Sequence, residues 1–136
     1  QNLRGEENYQ PWLSYGRSKL CNLLFARHLA PQLTGEQQVN AVHPGVIPTK
    51  IIRELPGIVD YLYRFAGILL FKSIQEGAAS QLWAVSHPDA KNLNGEYIAD
   101  CNPAQSSALG QDRDLARRLW ERSEEIAQEL GFAPRV

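Results

Sequence analysis

The sharpest chemical signal in this 136-residue sequence is a tyrosine and a lysine four positions apart, in the string Tyr15-Gly16-Arg17-Ser18-Lys19. On a helix, residues i and i+4 share a face, so Tyr15 and Lys19 are neighbours if the segment is helical. A free phenol ionises near pH 10 and exchanges protons poorly at neutral pH. An ammonium fixed beside it favours the phenolate. The pair is therefore a candidate general acid and base. Chance alone gives about 0.15 such pairs in a chain with five tyrosines and four lysines, so two ordinary surface residues are the plain alternative and the surroundings must decide.

The remaining reactive side chains carry weaker signals. His28, His43 and His87 share no metal-ligand spacing, and packing or surface roles account for them. Cys21 and Cys101 are far apart with no CxxC, which argues against a disulfide framework or a structural zinc site and suits a reducing compartment, the cytoplasm. Fourteen basic and fifteen acidic residues leave a net charge of −1 with no basic stripe, so nucleic acid is not an expected partner. With 43% apolar and 21% charged residues, the chain reads as one globular domain's worth of sequence.

Several elements must position the pair. Residues 1–11 read as a polar loop. From Trp12, apolar residues at Leu13, Leu20, Leu23, Leu24, Ala26 and Leu29 recur at helical spacing. Pro31 weakens that helix near Ala30, and Gly35 can close its last turn. Gln38–His43, bounded by Gly35 and Pro44-Gly45, reads as a strand. A helix followed closely by a strand is half of a βαβ rhythm and points to a parallel sheet. The most apolar stretch, Ile51–Phe71, is interrupted by Asp60 and Arg64, whereas a membrane span needs about 20 largely uncharged residues. It reads as buried or lid helices, with contact at a membrane surface as the alternative. Ser73–Ser86 suggests a helix with Ile74, Ala78, Leu82 and Val85 on one face, ended by His87-Pro88. Asn94-Gly95 turns into a second strand over Glu96–Cys101, and residues 102–110 read as a small-residue loop. The final helix runs from about Asp112, its cap, to Leu130, with Leu115, Leu119, Ile126 and Leu130 along one side and Gly131 as its stop.

In this setting the sequence resembles the short-chain dehydrogenase/reductase family. Tyr-x-x-x-Lys is that family's catalytic pair, on a long helix followed by a strand ending in Pro-Gly. The string from Tyr15 to Arg27, the run Val39-Asn40-Ala41-Val42-His43-Pro44-Gly45-Val46-Ile47-Pro48-Thr49, the segment Gly95–Cys101 and the Leu119–Glu125 helix look like its retinol-dehydrogenase and WW-domain-oxidoreductase branch. The resemblance covers essentially the whole chain.

It implies a fold: the C-terminal part of a doubly wound, Rossmann-type parallel sheet, holding its last two strands near Gln38–His43 and Glu96–Asp100 with four to six helical segments. Residues 1–136 would be the catalytic and substrate-binding portion of a single domain. It also implies roles. Tyr15 exchanges the proton with the substrate oxygen. Lys19 supports the Tyr15 phenolate and hydrogen-bonds the nicotinamide ribose. Pro44, Gly45, Val46 and Ile47 face the nicotinamide carboxamide, and Thr49 places a hydroxyl near that amide or the pyrophosphate. A proline at position 48 departs from many members, stiffening the loop and removing one N–H. The cofactor is NADP or NAD, and the substrate a small carbonyl or alcohol, with the apolar Ile51–Phe71 segment favouring a lipophilic one. A homodimer through the Tyr15 helix and peripheral membrane contact are compatible with this reading.

Two family features have no counterpart in the sequence: the Gly-rich phosphate loop and the catalytic serine. Ser14 is adjacent to Tyr15, and Ser18 is three residues on, but neither occupies the serine's place. The expectation is a C-terminal half whose dinucleotide-binding half lies upstream, inactive alone, and marginally stable or associating because its sheet edge is unpaired. The alternative is a truncated or pseudoenzyme interaction module without catalysis. A sugar-nucleotide isomerase or epimerase is disfavoured by the flanking strings.

Overall fold

The computed structural model describes residues 9–47 and 72–132. Two compact units are present: Gln1–Ala41 with Asn94–Glu96 and Gln105–Val136, and Val42–Leu93 with Tyr97–Ala104.

In the first unit, helix α1 spans Pro11–Leu29. It begins at Pro11, one residue earlier than expected, because Pro11 sits at the first helical position, where its fixed φ helps and its missing N–H costs nothing. Pro31 ends it as anticipated, and the chain tightens into a 3-10 turn over Ala30–Gln32. Gly35, at φ +68°, lies in a separate turn beyond this one and does not cap it. The apolar stripe is buried only toward its C-terminal half, at Leu23, Leu24 and Ala26, while Trp12 and Leu13 are exposed.

Against this half packs the last helix, α4, Arg113–Glu129. The Asp112 side chain caps it, accepting from the Leu115 N–H at 2.9 Å. Gly131, at φ +81°, stops it: its N–H donates to the Gln128 carbonyl and that of Phe132 to Ala127, the paired bonds of a Schellman motif. Ala116 is buried at the crossing, and Phe25 stacks on Trp120 with ring centroids 5.3 Å apart. Between Ser107 and Asp112 lies a single-turn helix, α3 (Ala108–Gln111), where a loop was expected. The Ser107 hydroxyl caps it, and Gly110 lets Leu23 approach so closely that a Cβ there would lie 2.7 Å from Leu23 Cδ2. One turn is too short to leave a periodicity in the sequence.

The second unit is built on a three-stranded sheet, which β1 enters from Val42 on, ordered β1 (Ala41–His43), β2 (Tyr97–Ala99), β3 (Asn102–Pro103). The architecture is mixed α/β, as a segment of a Rossmann-type fold has. The central strand carries Ile98, which is fully buried. Both expected strands are shorter than anticipated: at their starts asparagine side chains interleave with the backbone bonds, Asn94 Oδ1 accepting from the Val39 N–H and Asn40 Oδ1 from the Glu96 N–H, and β2 ends at the Asp100-Cys101 turn. Strand β3 falls where a loop was expected. It pairs antiparallel with β2, Ile98 opposite Pro103 and Ala99 opposite Asn102, leaving a two-residue turn at Asp100-Cys101. Both turn residues have positive φ (52° and 57°), as the twist of a type I′ hairpin requires, although neither is glycine.

Helix α2 (Ile74–Ser86) opens with a capping box: the Ser73 hydroxyl accepts from the Glu76 N–H, and the Glu76 carboxylate accepts from the Ser73 N–H at 2.7 Å. It ends at His87, before a 3-10 turn over Pro88–Ala90. Ile74, Leu82 and Val85 share a face, but that face is exposed. Gly77 and Ser80 take the buried positions, one by offering no side chain and the other by satisfying a backbone N–H.

Candidate active site

Tyr15 and Lys19 stand in the first half of α1, as the i, i+4 spacing requires. The Lys19 ammonium lies 5.2 Å from the centroid of the Tyr15 ring, and Tyr15 is 55% exposed. Ser18 is not a substitute for a catalytic serine: its hydroxyl donates to the Tyr15 carbonyl at 2.7 Å and is spent on its own helix.

Pro44, Gly45, Val46 and Ile47 follow β1 in the second unit. Gly45 has φ +83°, a left-handed conformation that favours glycine. Its N–H donates to His43 Nδ1 at 3.1 Å, which fixes Nδ1 as the acceptor nitrogen, and the His43 ring lies 6.1 Å from that of Tyr97. His43, expected only to pack, thus shapes the turn. The Val46 carbonyl accepts from the Lys72 N–H at 3.0 Å. Ile47 lies against α2 at Gly77, where a Cβ would clash with Ile47 Cδ1 and sit 3.0 Å from Cγ1. Pro48, Thr49 and the Ile51–Phe71 segment lie outside the described residues.

Lys72 is the residue that the spacing arguments missed. Its stem passes over Gly45, where a Cβ would fall 2.6 Å from Lys72 Cδ. Its ammonium pairs with Asp100 in the β2–β3 turn. The Lys72 hydrogen bond holds the Asp100 carboxyl below its ordinary range. Next to it, the Cys101 N–H donates to Ser80 Oγ at 3.2 Å, and Ser80 is buried on α2. Lys72 thus ties the Pro44–Ile47 turn to the hairpin, and Ser80 ties the hairpin to α2. No local pattern could have announced this, because the two ends of the ion pair are separated by 28 positions.

The first unit offers a phenol and an ammonium, groups that can serve hydroxyls, and the second, taken by itself, offers the backbone of a turn, which can serve an amide. The four positive-φ glycines among the described residues, Gly35, Gly45, Gly95 and Gly131, are scattered and form no cradle for a diphosphate. Among the described residues no three His, Cys, Asp or Glu side chains could hold a metal ion, and no helix is long and apolar enough to cross a membrane.

No family model matches the chain. Curated proteins do. Retinol dehydrogenase 14 of Homo sapiens is 35% identical over 125 residues, 90% of this chain and 37% of its own length. Short-chain dehydrogenase TIC 32 A, chloroplastic, of Brassica napus is 35% identical over 94% of this chain and 41% of its own length. The WW domain-containing oxidoreductase of Danio rerio is 33% identical over 96% of this chain and 32% of its own length. The chain thus spans about a third to two-fifths of the length of the curated relatives it matches. Together with the Tyr15–Lys19 helix and the α/β framework, these similarities establish that the chain belongs to the short-chain dehydrogenase/reductase family, on the side of its retinol-dehydrogenase and WW-domain-oxidoreductase members.

Proposed function

We propose that the protein containing this chain is an NAD(P)-dependent oxidoreductase acting on a lipophilic alcohol or its carbonyl counterpart. The observation that carries this reading is the Tyr15–Lys19 pair on one exposed helix face, with the ammonium 5.2 Å from the phenol ring centroid. When bound, the nicotinamide dinucleotide supplies or accepts the hydride. The chain's own residues handle the proton and the orientation. The Tyr15 hydroxyl donates its proton to the carbonyl oxygen in reduction, or accepts one from the alcohol in oxidation. Lys19 holds its ammonium over the Tyr15 ring and donates to ribose hydroxyls. Pro44, Gly45, Val46 and Ile47 present the turn that meets the carboxamide, and the Thr49 hydroxyl serves that amide or the pyrophosphate. The hydrogen bond from Gly45 to His43 and the Lys72–Asp100 brace hold this turn in one conformation, so less order must be gained on binding. Retinol is an apolar alcohol, and a relative bearing that name supports a lipophilic substrate class. Two free cysteines fit a reducing, cytoplasmic setting.

The test is turnover by the intact protein. All-trans-retinol and medium-chain alcohols are offered with NADP or NAD, and reduced nicotinamide is followed by absorbance. Alcohol-dependent reduction of one of the two cofactors is expected. An intact protein that binds neither would overturn the reading and favour an interaction module.

A further inference from the structure

The first unit holds an open cavity of about 730 Å³ at the C-terminal end of α1. Its volume is in the range of small-molecule sites. It lies about 18 Å along α1 from Tyr15, from the twelve-residue separation of Tyr15 and Arg27 and the rise of a helix, so it is separate from the Tyr15–Lys19 pair. Its walls come from three parts of the chain: the end of α1, the Asn94–Glu96 segment and the start of α4. The join between the first two is tight. Asn94 Nδ2 donates to the Ala30 carbonyl at 2.9 Å, and Gly95, at φ +78°, lies so close to Ala30 that a Cβ would fall 2.9 Å from its methyl.

The charges in the cavity are unbalanced. Arg27 and Arg113 both line it, with His28 beside them and Glu96 as the single carboxylate. Neither arginine makes an ion pair or side-chain hydrogen bond among the described residues, and Arg27 Nε is buried without a partner. The neighbouring arginines of α4 behave differently. Arg117 reaches Asp114 and Glu121, Arg118 reaches Asp114, and Arg122 reaches Glu125. A buried guanidinium N–H without an acceptor is costly, and it calls for water or an anion. We propose that this cavity binds a small organic anion through Arg27 and Arg113, its phosphate or carboxylate head on the two guanidinium groups and its body against Ala30 and the adjoining apolar wall. A planar guanidinium fork matches either oxyanion. Glu96 sets the limit on charge: a ligand with anionic groups at both ends would meet it.

The experiment uses the intact protein at constant ionic strength, with inorganic phosphate and acetate as probes against chloride. Arginine Nε–H resonances are followed by 1H–15N spectroscopy. Saturable shifts at Arg27 and Arg113, and none at Arg117, are expected. Phosphate acting more strongly identifies a phosphate-bearing ligand, and acetate a carboxylate-bearing one. Arg27→Gln and Arg113→Gln should each weaken binding about tenfold or more, while Arg117→Gln leaves it unchanged. If Arg27→Gln does not fold, the wild-type spectra and Arg113→Gln decide. Failure of both anions to shift either resonance, or undiminished affinity in the arginine variants that fold, overturns the proposal.

Discussion

Two glycines make a paired test of how the Pro44–Ile47 turn is held. Gly16 and Gly77 both lie within helices, and the same substitution to alanine should stabilise only at Gly16. In an exposed helix interior, Gly→Ala gains about 1 kcal/mol from the lower conformational freedom of the unfolded chain and better backbone shielding. At Gly16 a Cβ meets nothing within 4 Å, so that gain is kept whole. At Gly77 it meets Ile47 Cδ1 in a clash, Ile47 Cγ1 at 3.0 Å and the Pro44 carbonyl at 3.4 Å. Rotating χ2 of Ile47 removes the Cδ1 clash but not the Cγ1 contact, so the Ile47 backbone or χ1 must shift. Overpacking of this kind costs about 1–3 kcal/mol. Gly77→Ala should therefore range from neutral to about 2 kcal/mol destabilising, and it should lie about 1–3 kcal/mol below Gly16→Ala. Urea unfolding of the intact protein, with a common m-value, measures both. A functional difference should accompany it: a displaced Ile47 raises the KM for the cofactor in Gly77→Ala, while Gly16→Ala leaves it near wild type. If Gly77→Ala is as stable as Gly16→Ala, the contact between α2 and the turn is not as described and the argument for its rigidity fails.

Other outcomes follow from the same framework. Ile98 has no exposed surface at the centre of the sheet, so Ile98→Ala should lose about 2–5 kcal/mol by chemical denaturation of the intact protein, and a loss under 1 would contradict its burial. The Glu76 carboxyl is lowered chiefly by the backbone hydrogen bond from Ser73, and Asp100 is lowered by Lys72. A carboxyl lowered in the folded state stabilises it fully above the ordinary carboxylate range, and this contribution fades as pH falls through the folded value. Both groups should titrate by NMR below the ordinary range, and Glu76→Gln should flatten the acid limb of stability. Because the Asp100 side chain is largely in solvent, added salt should return it toward the ordinary range, and no change with salt would contradict the assignment.

What could be read from the sequence was local. Pro31, Asp112 and Gly131 act on the backbone within a turn of themselves, so the limits of α1 and α4 were legible. The Tyr15–Lys19 neighbourhood follows from helix geometry alone, and the family from strings that surround it. The hairpin at Asp100-Cys101 was not legible, because Asp100 tolerates the left-handed region but Cys101 is not a usual left-handed residue, and the ties of the turn to Ser80 and Lys72 form only in the folded chain. The exposed face of α2 misled for a related reason. Ile74, Leu82 and Val85 look like a core stripe, but the contacts that position α2 run through Gly77 and Ser80, which carry no apolar signal. The roles of His43 and Lys72 in the turn likewise depend on distant partners.

The proposed function turns on Tyr15 as the group that handles the proton. Its most direct test is Tyr15→Phe in the intact protein, with cofactor affinity measured by fluorescence titration and kcat measured on the same preparation. A positioned general acid or base contributes about 10²–10⁴-fold. A fall in kcat of that size is expected, with cofactor affinity within a few-fold of wild type and an unchanged melting curve. A variant that folds, binds the cofactor and turns over at the wild-type rate would contradict it.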